Sequence, residues 1–308
     1  MILKFEVNDN KYFNIKQIAK EYFEMSDRLI SKLKNKQLIF KNNLKAYINE
    51  QVKENDIVTF NLEYDEENDN IVPIKMDLDI LFEDDSLLII NKPPFMTIHP
   101  SIGHFSDSLA NGVKYYFQTN DINKKIRPVN RLDKDTSGIV IFAKNEYIQE
   151  SLIKQMQNNI FHKIYLAIVE GCFIPESGTI ILPISRKNGS IIEREVNKNG
   201  QLSITHYTTL KNITTNSNKR IPGIINSKSE HSLVEFKLET GRTHQIRVHS
   251  SYLGHPLLGD TLYGNSSPLI NRQALHCHIL KFIHPITKQE MNIQSDLPND
   301  MKSIIDIV

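Results

Sequence analysis

Cysteine is nearly missing from this chain of 308 residues: it has two, Cys172 and Cys277, and neither belongs to a CxxC pair. Neither a disulfide framework nor a cysteine-based zinc site is indicated, and a reduced cytoplasmic compartment is the expected setting. Long apolar runs are missing too, so no segment approaches membrane-spanning length. The opening residues Met1-Ile-Leu-Lys-Phe-Glu-Val-Asn-Asp turn polar before a signal-peptide core could form, and the chain is read as neither secreted nor inserted. An excess of one charge is absent as well. The formal net charge is +1, which removes any global electrostatic argument for nucleic acid and leaves only local ones. There is no GxxxxGK[ST], no GxGxxG, no HExxH and no nucleobase-deaminase pattern with paired cysteines. His276-Cys277-His278 comes nearest to a metal cluster. Alternate residues of a strand share a face, however, so only His276 and His278 could converge, and two ligands without a third make a poor site.

What is present is ordinary in bulk, with 40% hydrophobic and 24% charged residues, in a length that suits one large domain plus a small one. The charge is local. Arg28, Lys32, Lys34, Lys36, Lys41 and Lys45 fall in one stretch with no acidic residue among them, and Glu63, Asp65, Glu66, Glu67 and Asp69 follow. Ser26-Asp27 offers a helix cap with an acid in the first turn. Leu29, Ile30 and Leu33 then fall on one face and the cations on the rest. Leu38-Ile39-Phe40, the turn Lys41-Asn42-Asn43 and Ile57-Val58-Thr59-Phe60 read as short strands. The boundaries expected are a small αβ unit over residues 1–62, an acidic, solvated and flexible linker over 63–76, and a larger domain over 77–308.

In the larger domain Leu78 to Lys92 reads as a β-hairpin about Asp84-Asp85-Ser86, ended by Pro93-Pro94, which cannot donate to a ladder. Asn145 caps a predicted helix with a stripe of Ile148, Leu152, Met156 and Ile160. Lys163 to Gly171 is a strand, and a hairpin is predicted from Ile180 to Tyr207. Asn212 to Glu230, rich in Asn, Ser, Thr and Lys, is read as a mobile loop. Ser232 to Leu238 alternates as a half-buried strand, and Arg242 to Gly254 as a helix stopped by Gly254 and Pro256. The interspersed helices favour an α+β fold with a mixed, largely antiparallel sheet.

The stretch richest in chemistry is Arg127-Pro-Val-Asn-Arg-Leu-Asp-Lys-Asp-Thr-Ser-Gly138, which runs into the apolar strand Ile139 to Ala143. Asp133 lies in a polar loop with small hydroxyl and glycine residues behind it, the kind of loop that presents a side chain from a rigid strand. Spacing alone also fits a turn or capping role for Asp133 or Asp135.

Asn130-Arg131-Leu132-Asp133 with Thr136-Ser137-Gly138 closely resembles the active-site signature of the RluA-type family of RNA pseudouridine synthases. Further motifs follow in the same order: Asn91-Lys92-Pro93-Pro94 with His99-Pro100, Lys163-Ile-Tyr-Leu-Ala167, Gly241-Arg-Thr-His-Gln-Ile-Arg-Val-His249, and Leu275-His-Cys-His278 with His284-Pro285. Residues 15–62 resemble the S4 RNA-binding module, with Lys36-Gln37 and Asn42-Asn43 where that module usually has glycines. Two departures stand out in the larger domain: Asn130, where the family commonly has His, and Phe95, where glycine is frequent. The resemblance implies isomerisation of uridine to pseudouridine in structured RNA without a cofactor or metal, by a chain expected to act as a monomer. Large-subunit ribosomal RNA is favoured over transfer RNA as its substrate. It implies Asp133 as nucleophile, Arg242 as the guanidinium that keeps that carboxylate ionised, and Tyr165 as the ring that stacks on uracil. Arg131, Lys134, Arg28, Lys32, Lys34, Lys36 and Lys41 are the expected phosphate holders. The competing reading is a non-catalytic RNA-binding or chaperone protein on the same fold.

Overall fold

The computed structural model describes residues 1–66, 70–216 and 228–306. The small N-terminal unit runs β1 (Ile2–Glu6), α1 (Ile15–Gln17) with a π-helical turn over Ile18–Tyr22, α2 (Asp27–Asn35), β2 (Ile39–Lys41), β3 (Leu44–Lys45) and β4 (Ile57–Asn61). Its strands form one sheet in the order β1-β4-β2-β3. Helix α2 begins as its sequence requires: the Ser26 hydroxyl accepts from the Leu29 N–H, and Leu29, Ile30 and Leu33 are buried. Gln37, Asn42 and Asn43 adopt φ of 54°, 51° and 65°, so the left-handed turns that glycine would make easily are made here by other residues. Asn42 offsets part of that cost, because its carboxamide accepts from the Ile57 N–H and donates to Asp56. Strand β1, which the sequence reading missed, forms the outer edge of this sheet.

The larger unit continues with β5 (Ile80–Glu83), β6 (Leu87–Lys92), α3 (Leu109–Thr119), β7 (Ser137–Ala143), α4 (Glu146–Gln157), β8 (His162–Glu170), β9 (Ser177–Ile181), β10 (Ile184–Arg186), β11 (Arg194–Val196), β12 (Ile204–Asn216), β13 (Lys228–Leu238), α5 (Gln245–Tyr252), β14 (Leu275–Ile283), β15 (Glu290–Gln294) and α6 (Asn299–Ile305). One sheet, in the order β5-β6-β7-β14-β8-β13-β12-β9, carries this unit, with β15 beside β14. Its pairings are antiparallel except β7 with β14, in keeping with the α+β reading. Strand β7 is buried at every position because both of its faces are covered. Ile139, Ile141 and Ala143 pack with α4 through Ile148 and Leu152. Val140 and Phe142 pack with α3 through Leu109, Val113 and Phe117. Gly138 is required here: its φ is +113°, and a Cβ would lie 2.3 Å from the Cys277 carbonyl oxygen across the parallel pairing.

Two expectations need correction. The polar stretch read as a loop over Asn212 to Glu230 is strand at both ends: β12 reaches Asn216, β13 begins at Lys228, and Asn212 pairs with Ser232. Asn, Ser and Thr fill solvent-facing positions of a ladder as readily as those of a loop; residues 217–227 lie outside the described residues. The linker is not simply solvated charge either. The Glu66 side chain is 3% exposed and pairs with Lys32 and Arg127, each at 2.7 Å. Lys32 also meets Glu146 at 3.0 Å and lies over the Tyr64 ring, while Ser26 donates to Glu150 across the two units. Burying a carboxylate demands partners from both sides, so this segment seams α2 to α4 where flexibility was expected.

Candidate active site

The loop before β7 is held from several directions. The buried Asn130 carboxamide donates to the Ile139 carbonyl and accepts from the Ile141 N–H, so the residue that stands in place of histidine pins the loop to its own strand. Thr136 N–H donates to the Asp133 carbonyl, closing a tight turn. Lys92, wholly buried at the end of β6, donates to the carbonyls of Pro93, Met96 and Lys134. Its ammonium thus ties the segment after β6 to the loop that carries Asp133. Burial drives its pKa down to about 7, against the pull of Asp135. From the other side Arg272 donates to the Asp135 carbonyl and Gln273 to Thr136. Phe95 has φ of 64°, so the backbone shape expected of a glycine is kept by an aromatic residue.

Asp133 is thereby delivered into an open cleft of about 380 Å³, also lined by Arg131, Leu132, Tyr165, Leu238, Arg242 and Arg247 among others. Its carboxylate meets Arg247 Nη1 at 3.3 Å and His244 Nε2 at 3.7 Å. Arg247 is clamped in turn by Asp260, Nε to Oδ2 and Nη2 to Oδ1, both at 2.7 Å, and lies over the Tyr263 ring. Burial works against charge on Arg247, but its bonds to Asp260 and Asp133 outweigh that and raise its pKa. His244, at φ of 58° ahead of α5, shares a 2.8 Å hydrogen bond with the Tyr263 hydroxyl. Burial lowers its pKa in spite of Asp133. Tyr165 comes from β8 with 6% exposure. Burial, with the Cys277 thiol beside it, pushes its hydroxyl well above the ordinary range, so this phenol stays protonated.

The three residues expected to carry the chemistry therefore reach one cleft, but the role given to Arg242 needs correction. Arg242 lines the cleft, and its Nε points to the Leu202 carbonyl at 3.5 Å. The guanidinium bonded to Asp133 belongs to Arg247. The helix expected from Arg242 begins only at Gln245, which leaves Arg242 in the loop before it and turns Arg247 inward. Gln245 to Ser250 are all buried, and a buried arginine needs carboxylate partners, which Asp260 and Asp133 supply; no signal in the sequence marked Arg247 rather than Arg242 as the one so buried.

The expected phosphate holders divide. Arg131, Lys134, Arg28, Lys34 and Lys36 are exposed. Lys32 is consumed by Glu66 and Glu146, and Lys41 pairs with Glu50 and with the Gln51 carbonyl; neither is free for RNA. No group of three or more His, Cys, Asp or Glu among the described residues could hold a metal ion, and His276 and His278 are both directed at the Ser295 carbonyl. No helix among the described residues is long and apolar enough to cross a membrane.

Comparison with known proteins gives a consistent result. The profile of the family described as RNA pseudouridylate synthase matches residues 86–252. A Bacillus subtilis (strain 168) protein, described as the uncharacterized RNA pseudouridine synthase YjbO, is 41% identical over 255 residues, 82% of this chain and 84% of that one. Ribosomal large subunit pseudouridine synthase D of Blochmanniella floridana is 34% identical over 258 residues, 78% and 76% of the two chains. Among solved structures, human RNA pseudouridylate synthase domain containing 1 aligns with a TM-score of 0.57 at 25% identity, over 71% of this chain and 83% of that one.

Proposed function

This chain belongs to the RluA-type RNA pseudouridylate synthase family and is an RNA pseudouridine synthase, an isomerase; from that premise we propose that Asp133 is its nucleophile and large-subunit ribosomal RNA its substrate. The observation that carries the first part is the Asp133 carboxylate held at 3.3 Å by Arg247 in a cleft that Tyr165 shares.

The reaction breaks the bond from N1 of uracil to C1′ and joins C5 to C1′ instead, with loss of the C5 proton and no redox change. An ionised carboxylate can attack an electron-poor carbon, C6 of the base or C1′ of the sugar, and leave again once the new bond is made. A carboxylate in a base-sized cleft tends to take up a proton. The Arg247 guanidinium, never deprotonated, opposes this, and Asp260 keeps that guanidinium in place. The Tyr165 ring offers a face for the uracil. The uridine must first leave its stack, at a cost of a few kcal/mol, and contacts to the flanking backbone supply the energy for it. Arg131, Lys134 and Arg242 stand nearest for that purpose.

The substrate class rests on relatives named as large-subunit ribosomal enzymes, such as that of Blochmanniella floridana. The N-terminal unit, with its S4-like element order and exposed Arg28, Lys34 and Lys36, is the second RNA contact in this reading.

The test uses unmodified ribosomal and transfer RNA transcripts labelled with tritium at uridine C5, with tritium counted in water. Wild-type protein is expected to release it from large-subunit RNA and Asp133→Asn to release none. An active Asp133→Asn protein would remove the nucleophile from this reading, and release from transfer RNA alone would replace the substrate.

A further inference from the structure

Beside the catalytic cleft lies a second, larger one of about 910 Å³, lined by Arg131, Arg186, Arg194 and Arg242 together with backbone and small polar groups of residues 184–201. Arg131 and Arg242 line both, so the two clefts adjoin. Its far wall is the β10–β11 hairpin, a separate two-stranded sheet that the chain forms between β9 and β12, which themselves pair directly in the main sheet. Among the carboxylates nearby, Glu193 is paired with Lys187 and Asp133 with Arg247, Glu195 accepts from Asn197 and Glu239 meets His206; none of them is among the residues that line the groove. A groove lined by four arginines and no carboxylate favours anions even in a chain of net charge +1.

The hairpin is also braced. Gly200 packs so closely on Ile184 that a Cβ would lie 2.4 Å from its backbone, and Ile184 and Gln201 exchange backbone hydrogen bonds. At the other end the Arg194 N–H donates to the Tyr263 hydroxyl, 2.8 Å away, and that hydroxyl shares its 2.8 Å bond with His244, whose ring faces Asp133. A ligand held by the hairpin is therefore held at a set distance from the carboxylate.

We propose that this arginine groove seats the RNA strand on one side of the target uridine, with Arg186 and Arg194 on consecutive backbone phosphates and the β10–β11 hairpin acting as a rigid rail that registers the strand against Asp133. Guanidiniums match phosphate geometry bidentately, and phosphate contacts fix register without reading sequence. The proposal rests on the RNA reading above and adds to it two residues that no motif pointed to.

The test follows kcat/KM for tritium release from the large-subunit ribosomal RNA transcript across a range of KCl concentrations, for wild type, Arg186→Gln, Arg194→Gln, Arg186→Lys and Lys302→Gln. Removing one cation from a phosphate makes the slope of log kcat/KM against log salt shallower by about 0.7–0.9. Arg186→Gln and Arg194→Gln are each expected to show that change, and Arg186→Lys to keep most of the wild-type slope. Lys302, on α6 and lining neither cleft, is expected to leave the slope unchanged. Wild-type slopes in both glutamine variants would overturn the proposal while the wild type still released tritium. An equal change in Lys302→Gln would overturn it too, because the dependence would then reflect overall charge. No release by the wild type on this transcript would count against the substrate reading instead.

Discussion

The assignment of Arg247 in place of Arg242 has a sharp experimental consequence. Replacing Arg247 by Gln removes the cation that meets Asp133 at 3.3 Å. A hydrogen bond to a charged group contributes about 1.5–3 kcal/mol. At 3.3 Å this one is longer than the ~2.7–2.9 Å of a strong charge-assisted pair, so the lower half of that range applies. That is a fall in kcat of about 13- to 45-fold. The same change strands Asp260, whose side chain is fully buried, and breaking a buried pair by removing one partner costs about 3–5 kcal/mol of stability. The double change Arg247→Gln/Asp260→Asn separates the two effects, because it leaves a neutral pair in which the amides can bond to each other. The double variant is expected to regain part of the lost stability in thermal unfolding yet keep the loss of kcat in single-turnover tritium release. Arg242→Gln, at the rim, is expected to raise KM for RNA more than it lowers kcat. A folded double variant with wild-type kcat, beside an Arg242→Gln protein that has lost it, would refute the reasoning.

Other consequences are as direct. Gly138→Ala forces a Cβ into the Cys277 carbonyl at a φ of +113°; strain and overpacking together should cost about 2–5 kcal/mol, read as a lowered unfolding midpoint, and a midpoint equal to wild type would contradict the close approach of β7 and β14. Lys92 has its pKa lowered to about 7 by burial, so between about pH 7 and 10 the folded chain carries fewer protons there than the unfolded one. Stability from this group therefore rises with pH across that window, by up to about 1.4 kcal/mol per pH unit. Lys92→Met abolishes the slope, so urea titrations should show its stability relative to wild type falling from pH 7 to pH 9.5; a constant difference would refute it. Glu66→Ala takes from Arg127 and Lys32 the nearer of two carboxylates they share, leaving Glu146 at 3.7 and 3.0 Å. With Lys32 partly exposed, the loss should be about 2–4 kcal/mol, and faster proteolysis between residues 62 and 77 should accompany it; protection equal to wild type would mean that the two units are seamed by other side chains.

Local chemistry made a good deal of this molecule legible in the chain itself. The amphipathic stripe of α2 and its Ser26 cap, the Asn145 cap of α4, the end of β6 at Pro93 and the αβ order of the N-terminal unit all follow from interactions within a few residues, and such interactions are written in the order of the letters. Asp133 and Tyr165 were singled out through motif resemblance, and both line one cleft. Sequence alone did not determine which arginine meets Asp133. That depends on where α5 begins, and a left-handed His244 and a buried first turn set the start at Gln245. Asp260 and Tyr263, far from Asp133 in sequence, came to its side only when the fold brought the loop before β7 and helix α5 together. The fate of Lys32 and Glu66 was likewise decided by packing, since a charge run reads as solvated until a facing helix supplies the opposite charge. Short-range hydrogen bonds and periodicity belong to the chain; the partners of a buried charge belong to the fold, because only the fold removes water and so makes those partners necessary.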